Sequence, residues 1–587
     1  MNIHNITLTN KQKAISSINK TGRFVVKACP GSGKTLTVAS KLNNLISDWP
    51  FSYRGIATIS FTNVAWQEIA KYLNTGLTIP YPHFLGTIDS FINHYIFLPF
   101  GHLAMNCKKR PELIGYPYNE WEPIGNGWYW KNRECNYYGC KLNEFSYDIK
   151  GNIMSCKPRS HFGNCSLNHR ICTNHKNKLI NSGYATQSDA NYFAMKVLET
   201  YPVIANALAY RFPFFLVDEA QDTSKIQMEI IELLMENGLH KVMLVGDPDQ
   251  AIYEWRTAEP QLFNKKYIQW ETNSETLNEN WRSSQVICDF FHKISSLQSA
   301  PQSLNKYCKD YSFAPEIWEY CSKSPQETID RFLCLCQEKA INLLPDNIAI
   351  VTRSRDLLSN LIKEDVAIKN PWKEDCKLVK GFAEAKYWFV NNEFKKAFSI
   401  MERTICKLIK KVDYIKSYEI SEIVNEYGLV EWRKSIIDFI SKLPETNLAL
   451  GNWITKANNT IKNTSNIIRD NCPNFILTIK QDRKPYYHSQ LNFNQLFNRK
   501  EKSKIFSQHY TIGTVHSIKG ETFEAVLLFV KKRGADNRGY DSILHSKIEN
   551  DEELRIIYVA ITRPRKILVI AVPEGKTSIW KNRFIRL

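Results

Sequence analysis

FVVKACPGSGKT, residues 24–35, is a short apolar run that breaks into a turn with two glycines and ends on Lys-Thr. A strand, a glycine turn and a helix start in that order make an α/β phosphate-binding unit. Glycines let the backbone curl until its N–H groups face phosphate oxygens, and the following helix adds the positive end of its dipole. The form is Ala28-x-x-Gly31-Ser32-Gly33-Lys34-Thr35, with Ala28 where such a loop usually begins on glycine. In this pattern Lys34 is placed to reach the β- and γ-phosphates of ATP, and the Thr35 hydroxyl to bind Mg²⁺.

A phosphate loop needs an acidic partner. FFLVDEAQD, residues 214–222, delivers Asp218 and Glu219 at the end of an apolar run, which is where ligands sit in α/β sheets. Asp218 suits the Mg²⁺ role, and Glu219 suits a base that orients and polarises the attacking water. More apolar runs recur along the chain: GIATISF (55–61), KVMLVGD (241–247), NIAIVTR (347–353), YTIGTV (510–515), AVLLFV (525–530) and KILVIAV (566–572). With helical periodicity between many of them, they predict an α/β fold with two parallel-sheet lobes.

Two stretches break this alternation. Residues 91–180 are rich in Cys, Trp, Tyr, Asn and Gly, and residues 375–504 read as helical and basic, with apolar residues at 394, 397, 398, 401, 405, 408, 409, 412 and 415. Both read as insertions. The first lobe is then expected over 1–90 and 181–276, and the second over 277–374 and 505–587.

The chain has 587 residues, and 77 Lys+Arg against 59 Asp+Glu leave a net charge of +18. That excess suits a polyanionic partner, though a plain basic surface would show it too. Apolar residues make up 43%, with no run of roughly 18 that could cross a membrane. The start, MNIHNITLTNKQK, lacks the pattern of a secretory signal, so the expected compartment is the cytoplasm.

Hydrolysis of ATP also calls for positive charge on the γ-phosphate. Arg282 in NENWRSS and Arg563 in YVAITRPRK are the candidates, from the second lobe. Further segments complete a series: LTNKQKAI (8–15), ISFTNVAWQEI (59–69), GTIDSF (86–91), GDPDQAIYEWR (246–256), LNENWRSS (277–284), TVHSIKGETFEAVLL (514–528) and EELRIIYVAITRPRK (552–566). In this order they resemble the motifs of superfamily 1 helicases of the UvrD/Rep type.

The resemblance implies two RecA-like lobes, each with an inserted subdomain, and ATP-driven movement along single-stranded DNA, usually 3′ to 5′. Carried over by position, it makes Lys34, Thr35, Asp218, Glu219, Gln250, Arg282 and Arg563 the ATPase set. Gln12 would read the adenine edge and Trp281 would stack on adenine. Ala28, Gly31, Ser32, Gly33 and Gly520 would line the nucleotide. Phe61, Thr62, Asn63, Thr87, Tyr253, Trp255, Arg256, Arg353, Thr514 and His516 fall at or near strand-contacting positions. Aromatic rings in such a groove stack on bases without reading sequence.

One segment departs from UvrD and Rep, which usually read KG-x-E-F. Here it is Lys519-Gly520-Glu521-Thr522-Phe523, so the acid comes one position early. This form is similar to UvrD-like proteins of Gabija-type bacterial antiviral defence, in which an OLD-family nuclease is the partner. An alternative within the same resemblance is a regulatory protein that senses ATP and DNA and activates a partner nuclease without processive unwinding.

Fifteen cysteines remain, six of them between Cys107 and Cys172. Cys135 and Cys140, with four residues between them, and Cys172 and His175 downstream, offer a zinc site. Small buried thiols in an aromatic-rich module are the other reading.

Overall fold

The structure is a computed structural model. It describes residues 7–73, 79–114, 145–155, 169–252, 259–322, 324–353, 357–358, 361, 377–391, 393–412, 415, 417–463, 467–478, 493, 504–534 and 536–584. The chain divides into two compact units, one of residues 1–357 with 506–587 and one of residues 358–505.

The first unit is built on two parallel sheets. In the first sheet Arg23–Ala28 (β1), Ile56–Ser60 (β2), Phe84–Thr87 (β3), Phe214–Asp218 (β4), Lys241–Gly246 (β5) and Glu275–Leu277 (β6) run in the order β6-β1-β5-β4-β2-β3. Every pairing is parallel, with Val25 opposite Leu244 and Ser60 opposite Asp218. β2 and β4 are buried along their whole length, the mark of strands covered on both faces. One face carries Phe24, Val26, Val38, Leu42, Leu216 and Val245, and the other Val25, Ile59, Val217, Leu244 and Phe91. Burying each such side chain contributes about 1.5–3 kcal/mol.

The segment read as the start of the first insertion also feeds this core. Ile92, Ile96, Phe97 and Met105 pack in the same cluster as β1, β4 and β5. Helix His169–Asn181 is pinned to helix Gln187–Thr200 by Lys176 and Asp189, 2.7 Å apart and both fully buried. Lys176 also donates to the Phe145 carbonyl, and Thr186 donates through N–H and hydroxyl to Asp189. The added hydrogen bonds, those to Asp189 all on its Oδ2, offset part of the desolvation of this buried ion pair.

The second sheet joins Glu316–Tyr320 (β7), Ile348–Thr352 (β8), Thr511–Thr514 (β9), Phe523–Phe529 (β10) and Pro564–Pro573 (β11) in the order β7-β11-β10-β8-β9, these five all parallel, with the short strand Lys504–Phe506 at the edge beside β9. Its core includes Ile287, Phe291, Val351, Val526, Leu528, Tyr558 and Ile570. A fold of two parallel α/β sheets is what the alternating strand runs predict.

The second unit is helical, with helices Lys377–Val390, Phe394–Lys410, Ser417–Tyr427, Leu429–Lys442 and Leu450–Asn463 around Phe382, Trp432, Phe439 and Trp453. Helix Phe394–Lys410 buries Ala397, Met401 and Ile405, the spacing of one helical face. Phe394 at the start of that periodic run and Val412, past the end of the helix, are instead 54% and 40% exposed, while Ile415 at the end of the run is buried. No helix among the described residues is long and apolar enough to cross a membrane.

Candidate nucleotide site and strand-facing rim

The site sits where the β1, β4 and β5 ends of the first sheet meet residues 278–284 and 519–563. After β1 the chain turns through Gly31 and Gly33, both at positive φ, and starts helix Lys34–Ser47. A side chain at Gly31 would meet Arg282 Cβ at 2.8 Å and one at Gly33 would meet Gln12 Nε2 at 2.8 Å. Only glycine fits both backbone and neighbours here. Ala28 ends the strand, fully buried. Gln12 reciprocally caps its helix with Thr9 and donates to the Ser32 carbonyl at 3.0 Å. The loop is also held from outside: Asn280 Nδ2 donates to Pro30 O at 2.7 Å, and Trp281 N to Gly31 O at 2.9 Å. Trp281 itself is 39% exposed.

Thr35 Oγ1 donates to Asp218 Oδ2 at 3.1 Å. Glu219 follows in the left-handed region at φ +54, an uncommon conformation for a side-chain-bearing residue and one found at functional turns. Its N–H donates to Asp218 Oδ1 at 3.0 Å, and Gln221 Nε2 donates to its carboxylate at 2.5 Å. Burial, with Glu219 alongside, pushes Asp218 up to about 7. Burial works against Glu219 as well, but Lys34 and Lys519 hold it below the usual carboxylate range.

The next turn supplies Gln250. Its Nε2 donates to Asp247 and its Oε1 accepts from Arg563 Nη2 at 2.7 Å, with both residues buried. Arg563 Nε is held by the Val559 carbonyl at 2.9 Å. Burial, then the Arg282 charge, drive Arg563 well below the usual guanidinium value, and burial with Arg565 takes Arg282 to about 10. Arg282 donates to Thr522 Oγ1 at 2.9 Å and to the Thr562 carbonyl at 3.0 Å. The structure thus brings Lys34, Thr35, Asp218, Glu219, Gln250, Arg282 and Arg563 to one cleft between the two sheets. Three contributors carry no sequence expectation. Lys519 pairs with buried Asp222 at 2.7 Å, Gln221 holds both Glu219 and the Asp247 N–H, and Thr522 takes Arg282. Each lies inside one of the motif segments, so the available signal was the motif and not the residue.

The cleft suits Mg²⁺ and a phosphate chain. Glycines leave room against the loop, and buried Asp218, hydrogen-bonded to the Thr35 hydroxyl and pushed up by burial and by Glu219, gives with that hydroxyl an oxygen pair that a hard cation would relieve. Gly520 sits at φ +93 with nothing within 4 Å of where a side chain would start.

The rim is looser. Phe61 and Thr62 follow β2, where Thr62 Oγ1 accepts from Ala65 N at 3.3 Å and Asn63 Oδ1 from Trp66 Nε1 at 3.1 Å. Thr87 caps the next helix through Ser90 N. His516 Nε2 lies 3.2 Å from the Ile252 carbonyl, beside the Gln250 turn, and Thr514 is buried at the end of β9. Arg353 follows β8 and is forked by Glu553. Tyr253, Trp255 and Arg256 lie outside the described residues, as do Cys135 and Cys140. Cys172 falls in helix His169–Asn181, and His175 on the same helix is buried. No cluster of three or more His, Cys, Asp or Glu suited to a metal occurs among the described residues.

Comparison with known proteins bears on the family. The UvrD/REP helicase N-terminal domain model matches residues 8–107 and 155–270, and the UvrD-like helicase C-terminal domain model matches residues 296–575. A probable DNA helicase II homolog of Mycoplasma capricolum is 26% identical over 49% of this chain and 41% of its own length. An ATP-dependent helicase/nuclease subunit of Streptococcus pneumoniae is 38% identical over 17% of this chain and 8% of its own. Its namesake from Streptococcus equi subsp. zooepidemicus is 36% identical over 19% and 9%. The matched segments span less than half the length of these curated relatives. The two domain models together cover most of the sequence, and the chain belongs to the UvrD/Rep helicase family.

Proposed function

We propose that the protein is an ATP-dependent DNA helicase or translocase that moves on single-stranded DNA in the 3′-to-5′ direction. The observation that carries this reading is the buried hydrogen bond from Arg563 to Gln250, which ties a residue just before β11 to the turn after β5. A plain phosphate-loop ATPase has no need of a second sheet clamped on its γ-phosphate side.

The residues divide the work by charge. Lys34 and the loop N–H groups take the phosphates. Thr35 and Asp218 would hold Mg²⁺, which when bound offsets charge on the β- and γ-phosphates. Glu219, kept ionised and held by Gln221, orients the attacking water and accepts its proton. Arg282 and Arg563 stabilise charge on the transferred phosphoryl group. Because Arg563 stands just before β11 and Arg282 is held by Thr522 and the Thr562 carbonyl beside it, loss of the γ-phosphate loosens the contact between sheets, and that movement is available to shift a strand along the rim.

The Lys519-Gly520-Glu521-Thr522 form supports a role in antiviral defence beside an OLD-family nuclease. ATPase assays with and without oligo-dT, and unwinding of duplexes with 3′ or 5′ tails, test the core proposal. ATPase strongly raised by single strands and unwinding from the 3′ tail are expected. ATP hydrolysis that ignores DNA would overturn it. A genomic neighbourhood holding only repair genes would sink the defence role.

A further inference from the structure

We infer that Glu553 is the positioning residue for Arg353, turning one edge of its guanidinium toward a strand phosphate; this rests on the reading of Arg353 as a strand contact. The Glu553 carboxylate takes Nε at 3.0 and 3.1 Å and Nη2 at 2.5 Å, a fork that fixes the plane of the group. Nη1 donates to no group among the described residues, and the Arg353 side chain remains 21% exposed against 7% for Glu553. The acid is therefore buried as a support while the base keeps an open edge. Burial opposes the Arg353 charge, but Glu553 more than offsets it and holds the group above its usual value.

Glu553 is itself locked in place. It lies in the first turn of helix Glu552–Ile561, and its N–H donates to the capping carboxylate of Asp551, which Arg538 forks in turn. A side chain on Gly534 would meet its Cγ at 3.2 Å. The same helix sends Arg555 to the Ala251 carbonyl at 2.7 Å and leads directly into Arg563. A phosphate on Arg353 is thus felt at the start of the helix whose end carries the γ-phosphate arginine.

The test is binding of labelled oligo-dT to the full chain by fluorescence anisotropy across a salt series, without nucleotide and with a non-hydrolysable ATP analogue. Glu553→Gln is expected to weaken binding about tenfold and to make the salt dependence shallower by about 0.7, one phosphate contact on a single strand. It should also shrink the difference in affinity between the two nucleotide states. A purely structural role for Glu553 would lower thermal stability without moving the salt slope. Unchanged or tighter binding overturns the inference, the latter because it would make Glu553 a competitor of the phosphate. If Glu553→Gln does not fold, Arg353→Lys serves: it keeps the charge but loses the fork, so it should weaken binding as much as Arg353→Gln does, and full retention of affinity refutes the proposal. Loss in Arg353→Gln with no loss in Glu553→Gln rejects the positioning role alone. No loss in either rejects Arg353 as a contact, and wild-type ATPase indifferent to DNA rejects the functional reading beneath both.

Discussion

In the nucleotide cleft Asp218, Asp222, Asp247, Asp249, Gln250 and Arg563 are each no more than 5% exposed and each is hydrogen-bonded, behind half-buried Lys34, Thr35, Glu219 and Arg282, whereas along the rim Thr514 is buried but Phe61, Thr62, Thr87 and Arg353 are half-buried and Asn63 is exposed. On the function proposed above, the difference follows from what each must handle. Charge on a γ-phosphate is stabilised best by groups already aimed and out of water, where they need not reorganise. A strand that slides has to be released at every step, so its contacts stay shallow, partly wet and sensitive to salt.

That contrast sets the ranking of effects. Lys34→Ala and Glu219→Gln remove groups that no neighbour replaces, so steady-state ATPase should fall by more than about 10³, roughly the loss of one preorganised charge stabiliser. A residual rate within tenfold of wild type would mean that the buried cluster is not the hydrolytic centre. Next comes the tie between sheets. Lys519→Met leaves Asp222 buried and unpaired, and denaturant unfolding should show a loss on the order of 3 kcal/mol. A loss below about 1 kcal/mol would show that water reaches Asp222 and that the cleft is less dry than its exposure suggests.

How far these groups can be read from sequence depends on how local their chemistry is. Gly31, Gly33, Lys34 and Thr35 stand in one turn, and their roles depend on backbone shape and a helix start, which five residues encode. Asp218 and Glu219 need only a strand to carry them. The Lys519–Asp222 pair spans 297 positions and Arg353–Glu553 spans 200; neither partner announces the other, because an isolated Lys or Glu in a motif is chemically complete on its own. Helical periodicity at 394–415 locates a buried face but not the helix end: Phe394 in the first turn is exposed, and past Lys410, where the helix stops, Val412 is exposed while Ile415 is buried. The segment 91–107 shows a related limit: its composition differs from the strands, yet Ile92, Ile96 and Phe97 share their core.

On the rim the expected losses are smaller and fall on affinity. Phe61→Ala should raise the single-strand concentration for half-maximal ATPase about tenfold, within the 1–3 kcal/mol of one base–aromatic stack. An effect on thermal stability of the same size, with DNA affinity unchanged, would place Phe61 in the core and erase the contrast at that position.

The smallest effect tests the cost of the dry cleft. Burial, then the neighbouring Asp247, push Asp249 up to about 7, although its carboxylate accepts from Ser296 N at 2.7 Å. Unfolded, the group would titrate near the ordinary Asp value of about 3.9. Between these limits the folded state binds more protons than the unfolded one, so stability is greatest below about pH 4 for this group and is lost as pH rises through about 7. The two carboxylates titrate as a pair, so the slope belongs to the turn and not to one residue. Asp249→Asn keeps the side-chain acceptor for Ser296 while removing one charge. In nucleotide-free protein its Tm should exceed that of wild type at pH 8, and the gap should narrow as pH falls toward about 4. If the two Tm curves stay parallel over that range, the turn is already ionised at no cost, and the cleft is solvated much as the rim is.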